Sequence, residues 1–282
     1  MKSFALLAAA GAFAVFAGAA AQAAEAEYGK CEPQGERGSI KLETIAADTL
    51  TVATVLPNPG WYNGVSPEKI EDGFEYCMGA EIAHRAGLDK VRLVNMAWDQ
   101  YISGTASNYD IGIAGTTITE ARKQVFDFSQ PYFSSNLGVA VKKGADVSAE
   151  NISTKRIGVL QGNMGSDWVI GTLKPEQQPG LYQSQPDMVT ALIAGQVDAI
   201  ISDTTLVLSA TNGTNGMIEV IGQFELDQGY GIVLPKGSAN AATIDQAVAT
   251  FREDGTLAGL SAKYLTPLFG VDPATIPVWK QD

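Results

Sequence analysis

The chain has 282 residues, with 31 acidic against 19 basic side chains and a net charge of −12. So acidic a surface is repelled by phosphates, which argues against nucleic acid as a partner. Two cysteines and one histidine are too few to make the three or four His and Cys ligands of a zinc site.

The amino end, "MKSFALLAAAGAFAVFAGAAAQAA", carries one lysine, an apolar run and a small-residue A-x-A stretch. That is the pattern of a secretory signal peptide, cleaved after Ala23, and residues 1–23 are set aside from the fold. The apolar run is short for a roughly 20-residue span and lacks a basic flank on its far side, which separates it from a membrane anchor. About 260 residues remain, enough for one large domain or two lobes with their own cores. In an exported chain the even cysteine count favours a disulfide between Cys31 and Cys77. The alternative is a Cys77 and His84 nucleophile pair. Seven residues along a helix place them about 10 Å apart, too far for a hydrogen bond.

In chain order, apolar runs rich in β-branched residues predict strands at "TLTVATVL" (49 to 56), "KVRLVNM" (90 to 96), "DIGIAG" (110 to 115) and "LGVAVKKG" (137 to 144). Four more follow at "RIGVLQG" (156 to 162), "VDAIISD" (197 to 203), "MIEVIG" (217 to 222) and "YGIVLPKG" (230 to 237). Between them lie helical patterns. In "DGFEYCMGAEIAHRAGL", Phe74, Met78 and Ile82 recur at four-residue spacing and Gly87 closes the helix. "PDMVTALIAGQ" and "TIDQAVATFREDGTLAGLSAKYL" give further helices, the latter broken at Asp254-Gly255. Alternating strands and helices indicate an α/β fold with largely parallel sheets. The order looks duplicated, as two α/β units joined by two crossings with a cleft between them. Ligands bind beyond the carboxyl ends of such strands.

Three loops at those ends carry the candidate chemistry. "GTTITEARK" offers Gly115, the hydroxyls of Thr116, Thr117 and Thr119, and the fixed cation of Arg122, whose planar fork suits a carboxylate. Its plainer reading is a capping box from Thr117 to Glu120 with a solvated arginine. "LQGNMGSDW" has a G-x-x-G turn with Asn163 and Met164, and Ser166 placed to start a helix. "VDAIISDT" ends on Asp203, a cleft carboxylate or another helix cap. Trp61 and Tyr62 in "PGWYNG" and Trp98 in "NMAWDQ" are candidate walls for a small ligand.

The stretch "NYDIGIAGTTITEARKQVFDFSQPYFSS" resembles the periplasmic solute-binding proteins of ABC importers, in the group that takes amino acids. "GFEYCMGAEIAHRAGL", "RIGVLQGNMGSDW", "GQVDAIISD", "GYGIVLPKG" and "REDGTLAGLSAKYL" follow in the same order, with Glu75 at the family's usual aspartate. The resemblance implies a two-lobed, type II periplasmic binding-protein fold. Lobe 1 would take residues 24–136 and 227–282, and lobe 2 residues 137–226. It implies that Arg122 pairs with a ligand α-carboxylate, helped by backbone N–H groups near Thr117 and Met164. Gly115, Thr117 and Asp203 would hold the α-ammonium, with Trp98 against the ligand. It further implies a monomer in the periplasm, with a small-molecule ligand, a membrane permease as partner, no cofactor and no catalysis. Val55, Asn58 and the Asn163-Met164 pair depart from the family's usual aspartate, aromatic and hydroxyls. An enzyme of the cyclohexadienyl dehydratase type on the same fold is the rival, with Asp99, Asp203 or Glu225 as its acid; a receptor for a membrane sensor is a third reading.

Overall fold

The structure is a computed structural model that describes residues 27–226, 229–271 and 273–280. The expected signal peptide, residues 1–23, lies outside them. From the amino end come β1 (Thr49–Thr54), α1 (Phe74–Arg85), β2 (Lys90–Asn95), α2 (Trp98–Ile102), β3 (Ile111–Gly112) and β4 (Phe126–Phe128). A short strand β5 (Phe133–Ser134) leads into β6 (Leu137–Lys142), β7 (Ile157–Leu160), α3 (Met164–Trp168), β8 (Gly180–Tyr182) and α4 (Gln185–Ile193). Then come β9 (Ala199–Asp203), α5 (Thr204–Asn212) and β10 (Ile218–Phe224). The chain returns through β11 (Gly229–Tyr230) and β12 (Val233–Pro235) to helices α6 (Ala241–Glu253), α7 (Thr256–Leu260) and α8 (Thr266–Phe269).

Two five-stranded sheets result, ordered β2-β1-β3-β12-β4 and β10-β6-β9-β7-β8. Both are mixed, where the sequence pattern suggested largely parallel pairing. The reason is topological: β6 and β12 each enter a sheet straight after a crossing, and each runs antiparallel to both of its neighbours. The two crossings themselves pair as a ribbon, Gly229 with Ser134 and Tyr230 with Phe133. The sequence pattern overlooked β8, a three-residue edge strand without β-branched residues. The last described residues leave the first sheet for the second. Trp279 N–H donates to the Gln223 carbonyl at 2.7 Å, and its ring fills the space that Gly222 leaves open.

Helix α1 is the centre of the first core. Phe74, Met78 and Ile82 are fully buried, as their spacing predicts, and Gly87 turns the chain away with φ of 76°. Cys77 on the same helix is bonded to Cys31, with Cα atoms 5.3 Å apart. The amino-terminal segment is thereby held across α1, where the Gln34 and Gly35 N–H groups each donate to Glu81 at 2.8 Å. Glu81 also pairs with Arg85 at 2.6 Å, and Arg85 with Asp254 at 2.7 Å. No helix among the described residues is long and apolar enough to cross a membrane.

At the start of α1, Glu75 is buried completely. Its Oε1 accepts from the Gly115 N–H at 2.8 Å and from the Tyr132 hydroxyl, while Oε2 has no partner. Burial pushes the carboxyl up to about 7, against the lowering effect of those two hydrogen bonds. The folded chain therefore keeps a proton that the unfolded chain releases near the ordinary carboxylate value, so stability declines as pH rises from about 4.5 to about 7. Glu75→Gln should remove up to about 3 kcal/mol of that decline. Denaturant unfolding of both proteins near pH 5 and near pH 7 measures it; parallel pH dependences would contradict the assignment. Reduction of the Cys31–Cys77 bond, which closes a separation of 46 residues, should cost up to about 4 kcal/mol and lower the melting temperature by several degrees. A melting curve unchanged by reductant would contradict that.

Candidate functional site

A cavity of about 450 Å³ opens between the two sheets, beyond the carboxyl ends of β1, β2 and β3 on one side and of β7 and β8 on the other. Trp98, Gly115 and Asn163, three of the residues expected at a ligand site, wall it, together with Val55, Met96 and Leu160. None of its described wall residues is charged. The charged groups stand directly behind the wall, Arg122 behind Trp98 and Asp203 behind Asn163.

Gly115 follows β3 in the left-handed region, φ 56°, a conformation that costs glycine nothing. Its N–H is held by Glu75 and Tyr132, so the turn at the cavity edge is anchored in the core. Thr116 does not face the ligand space as its hydroxyl suggested; it is fully buried and bonded to the Tyr101 hydroxyl at 2.9 Å. Thr117 pairs with Tyr230 on the return crossing, and its carbonyl accepts from Arg122 at 2.8 Å. The capping box from Thr117 to Glu120 does not form. The residues that follow make a 3-10 turn, and the Thr119 hydroxyl, not Thr117, accepts the Arg122 N–H at 3.1 Å.

That turn aims Arg122 inward, where 9% of the residue is exposed. One terminal nitrogen donates to Thr117, and the other reaches across to the Gly162 carbonyl, just beyond β7 of the second sheet, at 3.0 Å. The guanidinium carbon lies 5.5 Å from the Trp98 ring. Two of its five N–H donors are engaged in this way, leaving three. Burial lowers the Arg122 pKa, and the nearby negative charge of Asp203 opposes that shift. Trp98 starts α2 with its indole N–H unpartnered and buried.

Across the cavity, Asn163 caps α3: its Oδ1 accepts from the Gly165 N–H at 2.5 Å. The helix begins at Met164, two residues earlier than the Ser166 start read from the sequence, and the Ser166 hydroxyl bonds instead to the Asn163 carbonyl. Met164 opens the helix without walling the cavity. The Asn163 amide donates to Asp203 Oδ2 at 3.0 Å. Asp203 occupies the cap position of α5 but makes no side-chain cap, so the plainer reading of this residue does not hold. It is 1% exposed, and its Oδ1 has no hydrogen-bond partner. Burial raises its carboxyl, moderated first by Asn163, then by the neighbouring Tyr230 hydroxyl and the Arg122 charge. No ion pair joins Arg122 to Asp203 among the described residues.

Trp61 is a correction. It is fully buried in the first core, with ring centroids 5.3 Å from Phe74, 5.2 Å from Phe133 and 6.0 Å from Tyr230. Its glycine and proline neighbours imitate a ligand loop, but contacts with the crossing strands hold it inside. Asn95, Gln183 and Gln185 wall the cavity and were not singled out in the sequence. The signal for the last two was the short "LYQSQP" segment, where Ser184 caps α4 and Pro186 occupies its first turn. No group of three or more His, Cys, Asp or Glu residues among the described residues is placed to hold a metal ion.

Residues 51–267 match the sequence profile of the bacterial extracellular solute-binding proteins, family 3. The chain is 30% identical to the L-cystine-binding protein TcyJ of Escherichia coli (strain K12) over 205 residues, 71% of this chain and 75% of that one. It superposes on a solved ancestral arginine-binding protein bound to arginine with a TM-score of 0.69 and 30% identity, covering 77% of this chain and 98% of that one. An ancestral arginine-binding protein bound to glutamine gives 0.69 and 28%, covering 78% and 98%. The two-lobed binding-protein fold expected from the sequence is therefore borne out. Since the match spans both sheets and the site between them, the chain belongs to the bacterial extracellular solute-binding proteins, family 3.

Proposed function

We propose that this chain is the periplasmic substrate-binding component of an ABC transporter, that it holds one α-amino acid between its lobes, and that it delivers it to a membrane permease. One observation carries the reading: a buried cation and a buried carboxylate stand just behind the wall of the same cavity, Arg122 against Trp98 and Asp203 against Asn163, without an ion pair between them. Buried charges are costly unless paired. A zwitterion between them supplies a partner to each. The relatives named for binding cystine, histidine, glutamine and arginine support an amino acid as the ligand class.

In this reading Arg122 takes the α-carboxylate with its remaining donors, assisted by backbone N–H groups near Thr117 and Met164. Asp203, through the unpartnered Oδ1, takes the α-ammonium together with the Gly115 carbonyl and the Thr117 hydroxyl. Trp98 lies against the ligand, and Asn163 holds Asp203 in place. Lobe 1 would take residues 24–136 and 227–282, and lobe 2 residues 137–226, with Trp279 reaching over to pack on Gly222 and Gln223. A ligand bound by both lobes favours the closed arrangement by binding it more tightly than the open one. Each charge-assisted hydrogen bond contributes about 1.5 to 3 kcal/mol, so a few of them reach micromolar affinity, about −8 kcal/mol.

The binding reading is preferred to a dehydratase because, of the three acids an enzyme could use, Asp203 is hydrogen-bonded to the wall residue Asn163, while Asp99 and Glu225 are exposed and neither walls the cavity. Incubation with prephenate or arogenate should give no change in absorbance; turnover would overturn this choice.

Arg122→Ala and Asp203→Asn each leave one ligand charge buried without its partner, a loss of about 3 to 5 kcal/mol. Calorimetric titration of the amino acid that the parent binds should show each variant weakened at least about 100-fold, with the fold intact by circular dichroism. A variant that binds as tightly as the parent contradicts the proposal.

A further inference from the structure

Two buried polar atoms beside the cavity have no hydrogen-bond partner, and they are complementary: the Trp98 indole Nε1–H is a donor and Asp203 Oδ1 an acceptor. Trp98 walls the cavity, and Asp203 is bonded to the wall residue Asn163. Resting on the amino-acid reading just given, which uses Asp203 for the ammonium, we infer that Trp98 is a hydrogen-bond donor to the ligand α-carboxylate. It shares that carboxylate with Arg122 and is more than an apolar wall.

Trp98 is 8% exposed and its nitrogen is closed to solvent, so neither protein nor water answers the N–H. Buried donors without an acceptor are costly and few in folded chains. An orphan indole marks no site by itself. Trp61 has one too, but it lies in the first core among Phe74, Phe133 and Tyr230, and it is not part of the cavity wall. What sets Trp98 apart is its place.

Its Nε1 lies 3.6 Å from the point that a Cβ would occupy at Gly162. Arg122 donates to the carbonyl of that same glycine at 3.0 Å, and its guanidinium carbon is 5.5 Å from the centre of the Trp98 ring. The indole and the guanidinium therefore meet the second sheet at one loop, the turn just after β7. Gly162 sets no side chain against the indole nitrogen. A carboxylate that displaces the Gly162 carbonyl from Arg122 comes within the reach of both donors, and its two oxygens have about four lone-pair positions to offer them. Phenylalanine or leucine in place of Trp98 would supply apolar contact and no donor. The two orphan atoms then answer the two ends of one zwitterion, Trp98 the carboxylate and Asp203 the ammonium.

Titration calorimetry of the purified protein, unfolded and refolded to remove carried-over ligand, begins with L-glutamine, L-arginine, L-histidine, L-cystine and L-leucine. The tightest of these is then titrated beside its decarboxylated amine, which is 4-aminobutanamide, agmatine, histamine, cystamine or 3-methylbutylamine respectively. Trp98→Phe removes the N–H and keeps a ring against Tyr101, which stacks on Trp98 at 5.9 Å. The variant should bind the amino acid about 10-fold or more weakly than the parent, and the amine less than about 3-fold more weakly. An equal loss for both compounds would make Trp98 a packing surface and overturn the inference, as would no loss for either; the amino-acid reading survives both results. A second measurement needs no variant. In nitrogen–proton correlation NMR spectra of the parent protein, the assigned Trp98 indole proton should move downfield when the amino acid binds and stay in place when the amine binds. A signal that moves alike with both, or with neither, overturns the donor role. If none of the five amino acids binds the parent, this inference and the reading beneath it fall together.

Discussion

Arg122 and Asp203 are opposite charges, both buried, each against a wall residue of one cavity, and not bonded to each other. In a sealed core such an arrangement would be eliminated, because two nearby unlike charges gain by pairing directly. Here they are kept apart by the hydrogen bonds of each lobe: Thr117 and Gly162 on the arginine, Asn163 on the aspartate. In the proposed reading, a molecule that carries both charges would stand between them. Much of the surrounding structure serves to keep that spacing, from the 3-10 turn that aims Arg122 to the asparagine that caps α3 with one side of its amide and holds Asp203 with the other.

The same contacts tie the candidate site to the two crossings. Tyr230 lies on the return crossing, pairs with Phe133 on the outgoing one, bridges to Thr117, and stands near Asp203. Tyr132, one residue before the outgoing strand, shares Glu75 with Gly115. Residues of both crossings are therefore in contact with the groups that would hold the ligand. The Arg122 bond to the Gly162 carbonyl already links the loop after β3 to the loop after β7, one from each sheet. A ligand carboxylate competing for that guanidinium exchanges one link between lobes for another, which is how a small molecule can bias a two-lobed closure.

Much of this was legible in the sequence, and the parts that were not share a cause. Strand ends, the first helix and the disulfide follow from local pattern: the β-branched runs, the spacing of Phe74, Met78 and Ile82, and the even cysteine count in an exported chain. Residue type singled out Arg122, in the loop after β3, and Asp203, at the end of β9, as candidates, but not that both would be buried. Trp61 was not, because its position depends on Phe133 and Tyr230, far away along the chain. Thr116 was misplaced because a threonine hydroxyl carries no sign of whether a buried tyrosine lies within its reach. Asn95, Gln183 and Gln185 stand at the end of β2, just after β8 and at the start of α4, and nothing in the sequence says that these places meet at one cavity. The mixed sheets were missed because strand direction is a property of the crossings, not of any strand.

The central claim, that a zwitterion answers two separated buried charges, is tested most directly from the ligand side. The L-amino acid that the protein binds most tightly should be compared by calorimetry with its decarboxylated amine and its deaminated acid, which each remove one charge and keep the side chain. The account predicts that both analogues bind at least about 100-fold more weakly than the parent amino acid. Binding of either analogue within a few-fold of the parent would mean that one of the two charges has no ligand partner, and would contradict it.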